Sequence, residues 1–358
     1  MRIALVVPPF IAVPPRIYGG TELFVAHLAE GLKRSGFDVV VYANGESTLD
    51  AEVRWIYEES EWPIASEIYA TLKDIDHTAW AIKDAMADCD LIHVNNAPGI
   101  SYSQFAPQPF VYTVHHPKEQ GLSDFYLRYP NVQYVTISDH QKSLEAMPHM
   151  QTIHHGLDLS LYRYREHKQP YLSFLGRFAP VKGAHLAIEI AKKAGIPLKL
   201  AGEVQPIYQS YFESQIKPHI DGKFIEYVGE ADLAAKNELL GNSMALLFPI
   251  QWNEPFGFVM LEAMACGTPV LALPGGSVPE VVKDGVSGYM GNDVDALAAR
   301  VRDMNLSPLG VRRYAEQHFS AEIMVQKYVA LYREIAGGSV HNAGSGSYAL
   351  GEKHRTVA

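Results

Sequence analysis

Asn253-Glu254-Pro255-Phe256-Gly257-Phe258-Val259-Met260-Leu261-Glu262-Ala263-Met264-Ala265-Cys266-Gly267-Thr268-Pro269-Val270 reads as the passage from one strand into a helix and out to the next strand. The short apolar run Ala245-Leu246-Leu247-Phe248 precedes it, and Gly267 and Pro269 stop the helix. Two carboxylates stand eight positions apart, Glu254 in the loop and Glu262 inside the helix. A helix that starts near Gly257 turns free N–H groups toward whatever lies before it, which makes that end attractive to an anion. At a rise of about 1.5 Å per residue the carboxylates can lie on the order of 12 Å apart. That is the span of a ligand with a phosphate in its middle and a hydroxylated ring at each end. A helix-end charge plus a solvent-facing glutamate would give the same spacing. Against that, Glu262 sits in Phe-Val-Met-Leu-Glu-Ala-Met-Ala-Cys, apolar on nearly every face, and a buried carboxylate needs partners.

Outward from this stretch, the second half of the chain alternates regularly. Tyr171-Leu172-Ser173-Phe174-Leu175 opens a series of strands over 198–201, 224–227, 245–248 and 268–272, with helices over 183–194, 207–217, 231–240 and 257–266, which predicts a parallel sheet. Directly after its first strand comes Gly176-Arg177-Phe178-Ala179-Pro180-Val181-Lys182-Gly183. An Arg fork and a mobile Lys five positions apart can converge on one pyrophosphate, although a solvated loop carries the same residues. Lys182 precedes its glycine and no Ser or Thr follows, so this is not a Walker A loop; no GxGxxG follows any predicted strand, which removes the main support for dinucleotide oxidoreduction. The two junctions belong to one sheet and therefore to one rim. Cations for phosphates and carboxylates for hydroxyls then share a crevice, as a nucleotide sugar requires.

The first half predicts a second doubly wound sheet. Ile3-Ala4-Leu5-Val6-Val7 empties into a long loop ending in Gly19-Gly20, Thr21 caps a helix carrying Leu23, Phe24, His27, Leu28 and Leu32, and a strand follows over 39–42. Gly19 and Gly20 let backbone approach a phosphate. Segment 50–77 is acidic and irregular and is expected to form helices and loops on the rim. Strands follow over 91–94, 110–114 and 132–136, and His115-His116-Pro117 stands at a strand end, where ligands collect in open sheets. Adjacent histidines point to opposite sides, so His115 and His116 do not share one metal, and His115 is the candidate for ligand contact. His154-His155-Gly156-Leu157-Asp158 opens a boundary. The expected division is an acceptor-side Rossmann-like domain over 1–160, a donor-side domain over 161–320, a helix over 321–336 crossing back to the first domain, and a flexible tail over 337–358 rich in Gly, Ser and His.

At 358 residues two domains are expected, and 47% hydrophobic with 20% charged residues fits a globular enzyme. Residues 1–160 hold 10 Lys/Arg against 20 Asp/Glu and the remainder 20 against 20, so the whole net charge of −10 lies in the first half. Such a surface disfavours nucleic acid and anionic lipid as partners. Cys89 and Cys266 form no CxxC pair, which predicts neither a disulfide framework nor a thiolate metal site. No leader precedes Ile3 and no apolar run reaches about 18 residues, so a soluble, cytoplasmic protein is expected.

Gly19-Gly20, His115, Gly156-Leu157-Asp158, Gly176-Arg177 with Lys182-Gly183, Glu254-Pro255-Phe256-Gly257 through Glu262-Ala263-Met264-Ala265-Cys266-Gly267-Thr268-Pro269-Val270, and Gly275-Gly276 with Pro279-Glu280 together resemble the retaining glycosyltransferases of family 4. The resemblance runs in order over residues 1–336. Pro14-Pro15-Arg16-Ile17-Tyr18-Gly19-Gly20-Thr21-Glu22 with Trp252-Asn253-Glu254 is similar to the branch that contains the avilamycin-pathway glycosyltransferase. Two departures are visible: His155-Gly156-Leu157-Asp158 replaces the usual Asn-Gly-Val-Asp, and Ile250 follows Pro249 where Ser is common.

The resemblance implies the GT-B fold, two Rossmann-like domains with the active site in the cleft between them. It implies that Arg177 and Lys182 hold the donor pyrophosphate, that Glu262 accepts the ribose hydroxyls, and that Glu254 binds the transferred sugar, helped by the amides of Phe256, Gly257 and Phe258. Gly20, beside Gly19, would approach the distal phosphate, and His115 would contact the sugar. The nucleobase is expected on the loops carrying Gly202, Glu203, Val228 and Gly229. The implied reaction moves a sugar from a nucleoside diphosphate sugar, UDP-glucose for example, to a soluble saccharide or small-molecule hydroxyl by front-face transfer, with no metal and no cofactor. A GDP-sugar mannosyltransferase, a nucleotide-sugar epimerase and a non-catalytic nucleotide-binding module share the same pyrophosphate site and stay open here.

Overall fold

A computed structural model describes residues 1–338 and shows two parallel sheets. The first comprises β1 (Arg2–Val6), β2 (Asp38–Tyr42), β3 (Glu52–Arg54), β4 (Leu91–Val94), β5 (Phe110–Val114), β6 (Gln133–Thr136) and β7 (Met150–Thr152), in the order β3-β2-β1-β4-β5-β6-β7. The second comprises β8 (Leu172–Leu175), β9 (Leu198–Ala201), β10 (Ile225–Tyr227), β11 (Ala245–Phe248), β12 (Val270–Ala272) and β13 (Gly288–Met290), in the order β10-β9-β8-β11-β12-β13. The central strands β1, β4, β5, β8 and β11 are almost wholly apolar, as strands covered by helices on both faces must be. In each sheet the strand order reverses beside the first strand, between β1 and β4 and between β8 and β11. Ligands of open α/β sheets bind outside the carboxyl ends of the strands at that reversal. The loops after β1, β4, β8 and β11 are thereby placed to form a site.

The chain crosses between the sheets twice, and the crossings are tied together. Leu157 and Ser320 form a parallel bridge, with the Leu157 amide donating to the Phe319 carbonyl at 2.9 Å and the Ala321 amide to the Leu157 carbonyl at 2.9 Å. After the second crossing the helix Ala321–Ala336 packs on the first sheet's side, where Met324, Tyr328 and Tyr332 join Phe24, Leu28 and Leu32 of the helix Gly20–Arg34 in one core. A buried polar chain fixes it: His93 contacts Tyr332 Oη at 2.6 Å and Thr113 Oγ1 at 2.8 Å, and Thr113 contacts Tyr328 Oη at 2.9 Å.

Several local expectations are corrected. Thr21 does not cap its helix; the helix begins at Gly20 with Gly19 as cap at φ 146, and no side chain bonds the first amides. Segment 50–77 contains an edge strand, β3, and the start of the long helix Glu67–Asp88. The helix expected over 207–217 is present as a continuous helical run over 206–219 that passes from 3₁₀ through α to π and back to 3₁₀; near its end Pro218 lacks an N–H and its ring crowds the preceding turn. The tail over 339–358 lies outside the described residues. No helix among the described residues is long and apolar enough to cross a membrane.

Candidate functional site

The loop after β11 leads into the helix Phe258–Ala265, capped by Gly257 at φ 82. Met260, Leu261, Ala263 and Met264 bury in the second domain's core and carry Glu262 inward with them to 1% exposure. Its Oε1 accepts from Tyr162 Oη at 2.9 Å and from Lys236 Nζ at 2.8 Å, whereas Oε2 is buried with no partner. Glu254, 6% exposed, accepts at Oε2 from Lys182 Nζ at 2.6 Å and from Trp252 Nε1 at 2.8 Å. The Lys182 ammonium also lies 4.6 Å from the Trp252 ring centre. Gly275-Gly276 holds this loop from behind: a Cβ on Gly276, at φ 56, would stand 2.2 Å from the Glu254 carbonyl oxygen. Ser277 then donates its amide to the Glu254 carbonyl at 2.9 Å and its hydroxyl to the Phe256 carbonyl at 2.8 Å.

Arg177 and Lys182 flank Phe178, which anchors their loop in the core beside β8. Arg177 Nη1 approaches Gln205 Oε1 at 3.4 Å, and its guanidinium lies 5.5 Å from the Tyr18 ring centre. Sequence reasoning placed Lys182 and Glu254 in separate contacts with a ligand; here they contact each other. Two opposite charges on neighbouring loops, each largely removed from water, offset one another's desolvation.

The first domain faces them with the opened start of the helix Gly20–Arg34. A Cβ on Gly20 would lie 3.8 Å from the Phe258 ring, so two helix N-termini meet across the cleft. Glu22 in the first turn is 6% exposed, and burial pushes its carboxyl up to about 7. His115 contacts Asn95 Oδ1 through Nε2 at 2.9 Å and stacks on His155 at 5.4 Å and 19°. His155 in turn stacks on Phe258 at 4.9 Å and 6°. Burial holds His115 well below the usual imidazole range and His155 at about 3, so the column consists of neutral rings. His116 turns away to Tyr126 Oη, leaving His115 alone on the cleft side.

Two further contacts cross between the domains. Tyr18 stacks on Trp62 at 5.3 Å and 18°, and Trp62 Nε1 donates to Glu203 Oε1 at 3.2 Å. Glu203 lies beside Gly202, whose amide donates to the Gly229 carbonyl at 3.0 Å, so the loops after β9 and β10, including Val228, form one ledge. On another side of the cleft, Glu280 accepts from the amides of Asp139 and His140 at 2.8 and 2.7 Å and contacts His154 Nε2 at 2.7 Å. Burial raises the Glu280 carboxyl, but these donors outweigh it and hold it below the usual range. Asp139, His154 and Glu280 place ligating atoms within 4.8 Å of one another. With both Glu280 oxygens already accepting N–H groups, the cluster is a clasp between the domains.

Thus Arg177, Lys182, Glu254, Phe256, Gly257 and Phe258 gather around the β8–β11 reversal, and Gly19, Gly20 and His115 approach from the first domain. Glu262 lies one turn deeper, and Gly202, Glu203, Val228 and Gly229 form a separate ledge. Sequence reasoning missed Tyr18, Trp62, Glu22, Tyr162 and Lys236 as members of the site. Trp62 and its neighbours lie in the irregular acidic segment, and nothing in the spacing of Lys236 ties it to Glu262. Two anion-attracting helix ends, two cations and two buried carboxylates suit a diphosphate flanked by hydroxylated groups.

A family model described as Glycosyltransferase Family 4 matches residues 18–181, and one described as Glycosyl transferases group 1 matches residues 163–318. The chain is 26% identical over 368 residues to D-inositol 3-phosphate glycosyltransferase of Mycobacterium marinum, covering 92% of this chain and 75% of that protein. It superimposes on AviGT4, a glycosyltransferase involved in avilamycin A biosynthesis, with a TM-score of 0.73 at 24% identity over 94% of this chain and 98% of the other. With Anabaena HepE, solved in complex with UDP and glucose, the TM-score is 0.73 at 20% identity over 92% and 99% of the two chains. Two adjoining family matches that span residues 18–318, on two doubly wound sheets, place the chain among the family-4 glycosyltransferases of the GT-B fold.

Proposed function

We propose that this glycosyltransferase moves a hexose from a nucleoside diphosphate sugar, UDP-glucose being the first donor to test, to a hydroxyl of a saccharide or small-molecule acceptor with retention of anomeric configuration. The observation that carries this reading is the meeting of Arg177, Lys182 and two helix N-termini beside Glu254, with Glu262 one turn deeper. HepE, solved with UDP and glucose, supports a uridine nucleotide, and the inositol phosphate relative supports a polyhydroxylated acceptor.

In this reaction the diphosphate lies between the facing helix ends, the ribose reaches Glu262, the base rests on the 202–203 and 228–229 ledge, and the sugar lies between Glu254 and His115. Arg177 and Lys182 stabilise charge that grows on the diphosphate as the anomeric C–O bond breaks. The acceptor oxygen bonds the anomeric carbon from the same face, and its proton passes to the departing phosphate oxygen. No enzyme nucleophile takes part, unlike the two-carboxylate double displacement of retaining glycosidases. Neither a metal nor a cofactor is required in this scheme.

Release of UDP or GDP from a panel of sugar nucleotides, with and without simple sugar acceptors, tests it. The expected result is release from a UDP-sugar that accelerates with acceptor and gives a product of unchanged anomeric configuration. A panel in which no sugar nucleotide binds and none is turned over would overturn it.

A further inference from the structure

The Glu262 carboxylate is asymmetric. Tyr162 from the interdomain segment and Lys236 from the helix Leu233–Asn242 both occupy Oε1, at 2.9 and 2.8 Å, and Oε2 is buried without a partner. Burial and then the Glu262 charge push the Tyr162 phenol far up, so its hydroxyl keeps its proton and donates. Lys236 supplies the counter-charge that a carboxylate at 1% exposure needs. A buried acceptor left unpaired is costly and calls for an explanation. A ligand hydroxyl that completes the set is one.

We propose that Lys236 is a positioning residue for the nucleoside: with Tyr162 it ties down Oε1 of Glu262, leaves Oε2 as the single acceptor for the ribose hydroxyls, and so sets a preference for ribonucleotide over deoxyribonucleotide donors. This rests on the cleft taking a nucleoside diphosphate sugar. Lys236 itself touches Glu262 and need not touch the donor. Removing it leaves a buried carboxylate with one donor and no counter-charge, free to turn or to recruit a proton, and the acceptor at Oε2 is then no longer defined.

Calorimetric dissociation constants of UDP, 2′-deoxy-UDP and 3′-deoxy-UDP on the wild-type chain, Lys236→Met and Lys236→Arg test this. The wild type is expected to prefer UDP over at least one deoxy analogue by about tenfold, as for one charge-assisted hydrogen bond. Lys236→Met is expected to lose about tenfold in UDP affinity but little for that analogue, so that the preference collapses toward unity; Lys236→Arg restores most of it. Lys236→Gln leaves Glu262 in place and keeps a neutral donor without the counter-charge; it is expected to show a preference reduced from that of the wild type, which covers the case in which the Met variant does not fold. A full ribose preference kept in folded Lys236→Met or Lys236→Gln, or one absent from a wild type that binds UDP, overturns the inference alone. A wild type that binds neither UDP nor GDP overturns the donor reading and this inference with it.

Discussion

Lys182 and Glu254 form an ion pair with each partner largely removed from water, and a bound diphosphate would compete with Glu254 for the same ammonium. In the proposed reaction that exchange replaces one anion with another and turns the Glu254 carboxylate toward the sugar hydroxyls. Glu22 adds a charge that depends on pH. Its folded-state carboxyl lies near 7, above the ordinary 4.5, so the folded protein holds the proton at pH 6 and has largely lost it at pH 8. The stability this proton confers is complete at low pH and declines as pH rises from 4.5 toward 7. Above that an anion stands in the first turn of a helix offered to phosphate. Donor affinity in the wild type is therefore expected to weaken, by about threefold or more, between pH 6 and 8 relative to Glu22→Gln. Calorimetry on both proteins cancels the ligand's own titration, and parallel pH profiles would contradict the effect. Arg177, Lys182, Glu254 and Glu262 were legible in the sequence because their spacing sets them at strand-to-helix junctions. Lys236, Tyr162, Trp62 and Tyr18 were not, because each acquires its role from a partner about 26 to 159 positions away that only the folded loops bring near.

Strands that are buried on both faces and the amphipathic helices between them announce themselves by composition and period, and β1, β4, β5, β8, β9 and β11 fall within a residue of where the sequence puts them. The short strands β3, β7 and β13 are only partly buried and lack the apolar run that marks the equally short β12, and β3 is polar at both ends. The segment 206–219 is helical where the sequence puts a helix, but the change from 3₁₀ to α to π along it is not visible in the pattern of residues. The paired crossings make their own prediction. A Cβ on Gly156 would stand 2.3 Å from the Ser320 carbonyl oxygen and 2.9 Å from Ala321 Cα, both backbone atoms that cannot rotate aside. Gly156→Ala is expected to force the crossings apart and destabilise the protein by about 1–3 kcal/mol. Chemical denaturation checks this; a variant as stable as the wild type would show that the Leu157–Ser320 bridge tolerates separation.

At the scale of the molecule, two doubly wound sheets set their reversal points against one cleft, and the contacts across it are of two kinds. The Glu280 clasp joins backbone amides of one domain to a carboxylate of the other, and the Tyr18–Trp62 pair lies against Arg177 and Glu203. Both hold the domains together around the space assigned to the donor: the clasp joins the short helix Val278–Val281 to the first turn of the helix Asp139–Leu144, and the Tyr18–Trp62 pair sits on loops, where such contacts can open and close. In the proposed reaction the acidic first domain meets the acceptor, and the second carries the cations for the donor. UDP titration by calorimetry on Glu254→Ala and Glu262→Ala, set beside their turnover of a UDP-sugar, tests the proposed division of labour along that donor. Glu262→Ala is expected to weaken UDP itself by about tenfold or more, whereas Glu254→Ala is expected to leave UDP affinity near the wild-type value and to lower turnover sharply. Equal losses of UDP affinity in the two variants, or none in Glu262→Ala, would contradict it.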